Sequence, residues 1–294
     1  MTSLTSVESP EYLLVGGFGN KSILRYDQKT GNFIDIFVSS SSGGLSTPVG
    51  LTLGPDNNLY VVSSFGDSSV LRYDGQTGAF IDVFVSSNSG GLNTPTGLVF
   101  GPDNHLYVSS MNTNSVLRYD GQTGDFVDAF VPSDRGELNQ PSGLVFGPDN
   151  NLYVSSRVNN SILRYNGETG AFIDAFVASG SGGLSIPSVL TFGPDGNLYV
   201  GSENTDSVLR YDGQTGTFID AFIPPGSGGL QCPVGVMFGG CDRNLYVSSF
   251  GNNSILRYNA QTGAFIDTFI PSGSGGLQNA AVLIFSQISA STIN

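Results

Sequence analysis

The tripeptide Leu-Arg-Tyr recurs along the whole chain at a nearly constant interval. It occurs six times, with spacings of 47, 46, 46, 46 and 47 residues between successive arginines. A fixed period of this length, filled with short apolar runs, is typical of the blades of a β-propeller. The six arginines are Arg25, Arg72, Arg118, Arg164, Arg210 and Arg257.

Each repeat contains four short apolar runs separated by turn residues. In the second repeat the runs lie at 49–53, 59–62, 70–73 and 80–85, and Gly-Pro-Asp-Asn-Asn separates the first two. Gly and Pro with Asp or Asn between apolar runs predict tight hairpin turns. The sequence therefore predicts an all-β, six-bladed propeller with four antiparallel strands in each blade.

The two ends of the chain each carry part of a blade. The first repeat begins at its second strand, near Leu13, and the last unit stops after a first strand that ends near Phe285. One C-terminal strand joining three N-terminal strands would close the ring and remove its free inner edge. We therefore expect one domain, 1–294, with blades at roughly 280–286 plus 12–38, 48–85, 95–131, 141–177, 187–223 and 233–270.

An aspartate follows every repeat arginine at a distance of ten residues. A hairpin centred on the Gln-Thr-Gly loop places the two residues opposite each other, so we expect a structural cross-strand ion pair worth about 0.2–1 kcal/mol in each blade. A ring of six ligand-binding arginines is the alternative interpretation. The predicted pairs are Arg25 with Asp35, Arg72 with Asp82, Arg118 with Asp128, Arg164 with Asp174, Arg210 with Asp220 and Arg257 with Asp267.

The net charge of −13 argues against nucleic acid as a partner. Six of the eleven cations are the repeat arginines, and setting their aspartates aside leaves five cations against eighteen acids. A phosphate backbone would find no basic cluster to bind. No signal peptide and no membrane span are recognisable, so we expect a soluble, cytoplasmic monomer. Cys232 and Cys241 lie nine residues apart, about 30 Å in extended chain, and should not pair.

The blade motif Pro-x-Gly-Leu-Val-Phe-Gly-Pro-Asp-Asn-x-Leu-Tyr-Val at 95–108 and 141–154 resembles the NHL-repeat propellers. It is similar also to repeats of the virginiamycin B lyase family and of the gluconolactonase and strictosidine synthase superfamily. These resemblances imply protein or RNA binding, a metal- and histidine-dependent lyase, or a metal-dependent lactonase. None of these activities carries over residue by residue, because the only histidine, His105, lies in a hairpin turn on the face opposite to that normally used for catalysis.

The copies differ most in the loop between their second and third strands. Seven residues before each arginine, one position varies in both size and charge. In propellers such loops surround one mouth of the central channel, and exposed aromatic residues and arginine are favoured in binding hot spots. Selected binding and free drift of loops are both open interpretations. The six residues are Phe18, Phe65, Met111, Arg157, Glu203 and Phe250.

The resulting hypothesis is a non-enzymatic binding scaffold, amplified recently from one blade, that recognises a protein or a small molecule at the channel mouth. No catalytic residue, metal or cofactor is predicted. One alternative is a multivalent lectin with repeated carbohydrate sites between blades, although the chain has no Trp. Another is a metal-dependent lyase or lactonase with its site at the mouth.

Overall fold

The computed structural model describes residues 12–239 and 242–286, and Cys241 lies outside these ranges. The described residues form six four-stranded antiparallel sheets and contain no α-helix. The six-bladed propeller predicted from the period is therefore confirmed. Blade 1 consists of β24 (Ala280–Phe285), β1 (Tyr12–Gly17), β2 (Ser22–Asp27) and β3 (Phe33–Val38), in that order across the sheet.

The other five blades each take four consecutive strands, listed from the inner strand outwards. Blades 2 and 3 comprise β4 (Pro48–Leu53), β5 (Leu59–Ser63), β6 (Ser69–Tyr73) and β7 (Phe80–Val85), then β8 (Pro95–Phe100), β9 (Leu106–Ser110), β10 (Ser115–Tyr119) and β11 (Phe126–Val131). Blade 4 comprises β12 (Pro141–Phe146), β13 (Leu152–Ser156), β14 (Ser161–Tyr165) and β15 (Phe172–Val177), and blade 5 comprises β16 (Pro187–Phe192), β17 (Leu198–Ser202), β18 (Ser207–Tyr211) and β19 (Phe218–Ile223). Blade 6 comprises β20 (Pro233–Gly239), β21 (Asn244–Ser249), β22 (Ser254–Tyr258) and β23 (Phe265–Ile270).

The ring closes where the ends of the chain meet. In blade 1, β24 pairs with β1 in antiparallel register, with Leu14 opposite Ile284 and Val15 opposite Leu283. The backbone N–H of Tyr12 also donates to Oγ of Ser286 at 2.9 Å. The innermost strands then contact one another in the cyclic order β24, β4, β8, β12, β16, β20. This order places blade 1 opposite blade 4, blade 2 opposite blade 5, and blade 3 opposite blade 6.

The core lies between neighbouring blades. The second strand of a blade, such as β5, is buried along its whole length because adjacent sheets cover both of its faces. Within this core Tyr60 packs edge-to-face against Phe84 of its own blade at 4.8 Å and against Phe100 of the next blade at 4.9 Å. Edge-to-face pairs at this centroid distance stabilise beyond the area that they bury. Tyr107, Tyr153, Tyr199 and Tyr246 make the same two contacts in their blades.

The repeat arginines form ion pairs across the two outer strands of every blade. In blade 2, Arg72 stands opposite Asp82 and donates through Nε at 3.1 Å and Nη2 at 2.5 Å. Its guanidinium also lies over the ring of Phe84 at 5.0 Å, and its Nη1 lies 3.9 Å from Asp56. A bidentate guanidinium that is also stacked on a ring fastens two strands and a turn together. The corresponding pairs are Arg25–Asp35, Arg118–Asp128, Arg164–Asp174, Arg210–Asp220 and Arg257–Asp267.

No helix in the described part of the chain is long and apolar enough to cross a membrane. The short helical segments are single 3-10 turns. Five lie in the loops that link one blade to the next, and two lie in loops that follow the second strand of a blade. The turns are Ser42–Gly44, Ser89–Gly91, Met111–Thr113, Ser181–Gly183, Glu203–Thr205, Ser227–Gly229 and Ser274–Gly276.

Candidate functional site

Two sets of loops meet around one end of the central channel, which we call the mouth. The loop after the second strand of a blade bonds to the linking loop that precedes the inner strand. For example, the backbone N–H of Met111 donates to the carbonyl of Thr94 at 3.1 Å, and that of Glu203 to the carbonyl of Ile186 at 3.2 Å. These bonds use only main-chain atoms. The backbone at the mouth is therefore held in place whichever side chain stands there.

Blade 2 departs from the alignment on the repeat arginine. There the equivalent backbone bond comes from Ser64, whose N–H donates to the carbonyl of Thr47 at 3.0 Å. The loop of this blade holds one extra residue, so Phe65 follows the equivalent position instead of occupying it. Phe65 has a left-handed backbone, with φ of 48°, and is 57% exposed. Aligning on the buried Leu-Tyr-Val strand would have revealed the insertion.

All six candidate residues line one cavity at the mouth, which has a volume of about 390 Å³. The surface below them comes from the inner strands and is mainly apolar, with Leu51, Leu144 and Leu283 beside the hydroxyls of Ser142 and Ser188. A volume in this range, an apolar wall and a few polar groups are typical of ligand sites. The structure thus brings together at one place the six residues selected by alignment on the repeat arginine: Phe18, Phe65, Met111, Arg157, Glu203 and Phe250.

One half of the mouth is aromatic. Phe18 of blade 1 packs edge-to-face against Phe65 of blade 2 at 5.7 Å and against Phe250 of blade 6 at 5.5 Å. Contacts of this kind contribute roughly 0.5–1.5 kcal/mol each beyond burial. Three neighbouring blades therefore present one continuous group of rings, and we call it the aromatic wall.

The opposite half of the mouth is polar. Arg157 of blade 4 and Glu203 of blade 5 form a bidentate ion pair, in which Nη1 donates to Oε1 and Nη2 donates to Oε2 at 2.9 Å. Their side chains are only 23% and 12% exposed. Both were predicted as variable residues of the mouth, but their contact was not predicted. Opposite charges at equivalent positions of adjacent blades were the signal that could have predicted it.

Cys232 is a site residue that the sequence analysis did not select. It belongs to the linking loop before β20, lines the cavity and carries a free thiol, whose Sγ lies 3.9 Å from Oε2 of Glu203. Burial, reinforced by the negative charge of Glu203, raises the pKa of this thiol to about 11. The thiol is therefore protonated at neutral pH, and a protonated thiol is a poor nucleophile.

His105 lies far from the mouth, as its position in the sequence predicted. It follows the turn between β8 and β9, where its backbone N–H donates to Oδ1 of Asp103 at 3.1 Å. Because β8 begins at the mouth, this turn is at the other end of the channel. Within 12–239 and 242–286, no group of three or more His, Cys, Asp or Glu residues is arranged so that it could hold a metal ion.

No protein-family model matches this sequence, and no curated protein matches it significantly. Solved structures match through the fold. A chain in the crystal structure of a nidogen/laminin complex superimposes with a TM-score of 0.72 at 17% identity, covering 94% of this chain and 98% of that one. A protein of unknown function from Bacteroides caccae gives a TM-score of 0.69 at 11% identity, covering 95% of this chain and 100% of that one.

Virginiamycin B lyase from Staphylococcus aureus is also similar, with a TM-score of 0.58 at 18% identity over 80% of this chain and 72% of that one. The blade-level resemblance noted in the sequence is thus matched by solved propellers. Identities this low show a shared fold and nothing about shared chemistry.

Proposed function

We propose that this protein is a non-enzymatic, monomeric binding scaffold that holds one partner, a protein segment or a small molecule, at the channel mouth. One observation carries the proposal. At the channel mouth, side chains that differ from blade to blade line a single cavity, and there they form an aromatic wall on one side and an ion pair on the other. The outer arginine–aspartate pair, by contrast, is the same in all six blades. We infer further that the blades arose by amplification of one ancestral blade.

The asymmetry of the mouth supports a single site rather than six equivalent sites. A symmetric ring would offer each blade's residue the same neighbours, whereas here Phe18 has two aromatic neighbours and Glu203 has a guanidinium. A ligand that contacts both halves has one favoured orientation. Partly exposed aromatic residues beside a partly buried arginine have the composition of a binding hot spot.

The chemistry of the mouth also supports binding over nucleophilic catalysis. Cys232 is the candidate nucleophile at the cavity, and burial holds its pKa far above neutral pH. Arg157 and Glu203 bind each other instead of presenting a free acid or base. General acid–base catalysis needs a group whose pKa lies near the working pH and that can reach the reacting atom.

Replacement of Phe18, Phe65 and Phe250 together by Ser tests the proposal. A library of small apolar fragments is screened by thermal shift against the wild-type protein and against the triple variant. We expect ligands that raise the melting temperature of the wild type, and we expect the triple variant to fold but to respond to none of them. Equal responses in both proteins would overturn the proposal.

Phe84→Ser provides the matched control for stability. Phe84 is 5% exposed and packs against Tyr60 in the core, so its loss should cost about 3–5 kcal/mol. The triple variant loses two edge-to-face contacts at the surface of the cavity and should cost less than Phe84→Ser. A larger loss in the triple variant would assign the three rings to the core.

Carbohydrate binding between blades is the second candidate, and one observation favours it. The fourth strand of every blade begins with a phenylalanine that is 36–41% exposed, so six similar aromatic surfaces surround the propeller. Exposed rings are the usual stacking partners of sugars, and six weak sites gain avidity together. The number of ligands bound per chain separates the two candidates, because carbohydrate binding between blades requires about six and binding at the mouth requires one. The six are Phe33, Phe80, Phe126, Phe172, Phe218 and Phe265.

A further inference from the structure

The ion pair makes the cavity electrically balanced. Among the described residues that line the cavity, Arg157 and Glu203 are the only charged ones, and they neutralise each other. Neither has another charged partner within the described residues. A cation entering the cavity would have to compete with Arg157 for Glu203, and an anion would have to compete with Glu203 for Arg157. In both cases the attraction of one member of the pair for the ion is opposed by the repulsion of the other, and the ion must also give up its hydration.

The paired groups still have hydrogen-bonding capacity. A guanidinium carries five N–H donors and a carboxylate about four lone-pair sites, and the pair uses two of each. A neutral group that both accepts and donates, such as an amide, can therefore bond to both side chains while the pair stays intact. This group costs less to transfer from water than an ion does.

The aromatic wall lies across the channel from the ion pair. The order of the inner strands places Phe18 on the blade opposite Arg157, and Phe65 on the blade opposite Glu203. The surface between them is mainly apolar, and its polar side chains are the hydroxyls of Thr96, Ser142, Ser188 and Thr191 and the thiol of Cys232. A ligand that satisfies both halves needs an apolar ring at one end and an amide-like group at the other.

We propose, on the basis of the function proposed above, that the mouth selects a neutral aromatic amide and discriminates against aromatic acids and amines. Both a phenylalanine side chain with its own backbone, in a peptide, and a free small molecule have this chemistry. The proposal names a specificity for the site: the Arg157–Glu203 pair acts as a charge filter, and the aromatic wall provides the apolar contact.

Three probes of similar size test the filter by isothermal titration at pH 7. They are N-acetyl-L-phenylalaninamide, which is neutral, N-acetyl-L-phenylalanine, which is an anion, and 2-acetamido-3-phenylpropylamine, which is a cation. We expect the neutral amide to bind at least about tenfold more tightly than either ion, because only the ions give up the hydration of a full charge without meeting an unopposed opposite charge. Equal or tighter binding of the acid or the amine, or no binding of the amide, would overturn the proposed specificity.

Variants of the protein that change the charge of the pair test the same specificity. Glu203→Gln leaves Arg157 without its partner and should move the preference to the acid. Arg157→Gln should move it to the amine, and the double variant should restore the preference for the amide. Glu168→Gln makes the same charge change at an exposed turn of blade 4 away from the cavity, and it should leave the preference unchanged. A preference that moves in the control, or in none of the variants, contradicts the charge filter.

A blocked peptide, acetyl-Gly-Gly-Phe-Gly-Gly-amide, distinguishes the two sources of the ligand. Tighter binding of this peptide than of N-acetyl-L-phenylalaninamide would indicate a peptide segment of a protein, and weaker binding would indicate a free small molecule. Failure of the specificity and failure of the proposed function are separable. If fragments bind the wild type and not the Phe-to-Ser triple variant, while the amide probe does not bind, the ligand class is wrong and the function stands.

Discussion

The six repeat arginines and the six residues of the mouth both form rings around the same propeller, but they differ in every other respect. Each arginine pairs with an aspartate on the neighbouring strand in the same way in all six blades. At the mouth, three phenylalanines, a methionine, an arginine and a glutamate line one cavity. The arginine ring is uniform and the ring of mouth residues is varied, although both recur with the period of the blade.

The contacts explain this difference. Arg164 is held by Asp174, lies 3.8 Å from Asp149 and stacks on Phe176 at 5.0 Å, so a different side chain there would lose several contacts at once. At the mouth the backbone N–H of a variable residue such as Met111 makes a bond that any residue can make, and other side chains, such as Ser110 and Asn114, complete the attachment of the loops. The contacts thus show which positions can vary without loss of the fold, and the proposed function uses those at the mouth.

Loss of the closing strand should have the largest effect. A chain that ends at Asn279 lacks β24, so β1 keeps β2 but loses its inner partner, and the inner ring opens. We expect this truncation to unfold the whole protein, measured by circular dichroism and by resistance to proteolysis. A chain that ends at Ser286 keeps β24 and should stay folded. Native-like melting of the shorter chain would show that the blades are stable independently of closure.

High pH should destabilise the fold through the tyrosines that recur in the core of the blades. Burial raises the pKa of the core tyrosines, and that of Tyr60, Tyr153 and Tyr199 rises to about 12. The folded state therefore keeps protons that the unfolded chain releases near pH 10. This stabilisation is complete below pH 10 and is lost as the pH rises towards 12.

Melting temperature and tyrosinate absorbance, both measured from pH 9 to 12, check this expectation. The two transitions should coincide, and the Phe-to-Ser triple variant of the mouth should show the same midpoint as the wild type. Ionisation of most tyrosines near pH 10 in a protein that is still folded would contradict the burial argument.

A single arginine of the uniform ring should matter moderately. Arg164→Met removes a bidentate ion pair and a cation–π contact, so we expect a loss of about 1–2 kcal/mol in the free energy of unfolding, measured with urea. Replacing both Arg157 and Glu203 by Met removes an ion pair of the mouth as a whole and should change stability by less than about 0.5 kcal/mol. Equal losses of unfolding free energy in these two variants would contradict the distinction between the arginine ring and the mouth.

The smallest effect concerns the thiol of Cys232 and leaves the fold unchanged. Because its pKa is about 11, alkylation by iodoacetamide at pH 8 should be about a hundredfold slower than that of an ordinary free thiol. The rate should increase with pH from pH 7 to pH 10, below the range in which the fold is lost. Glu203→Gln removes a negative charge that raises this pKa, so it should accelerate the reaction. Both measurements use a Cys241→Ser background, and a rate equal to that of a free thiol would contradict the assigned environment.

The architecture could be predicted from the sequence because the signals that determine it are local and repeated. The spacing of Leu-Arg-Tyr gives the number of blades, and the partial repeats near Leu13 and Phe285 give the closure. The site could be predicted only in part. The ion pair of Arg157 and the position of Phe65 depend on contacts between blades and on one inserted residue. Cys232 was missed because it belongs to a linking loop, and the sequence analysis compared only the loops after the second strands.

Isothermal titration of the ligand that most raises the melting temperature tests the central claim most directly, because it counts sites. The account predicts one equivalent for each chain, with binding abolished by the Phe-to-Ser substitution of Phe18, Phe65 and Phe250. Close to six equivalents, unchanged in that variant, would place the function on the repeated outer surfaces of the blades and contradict a site at the mouth.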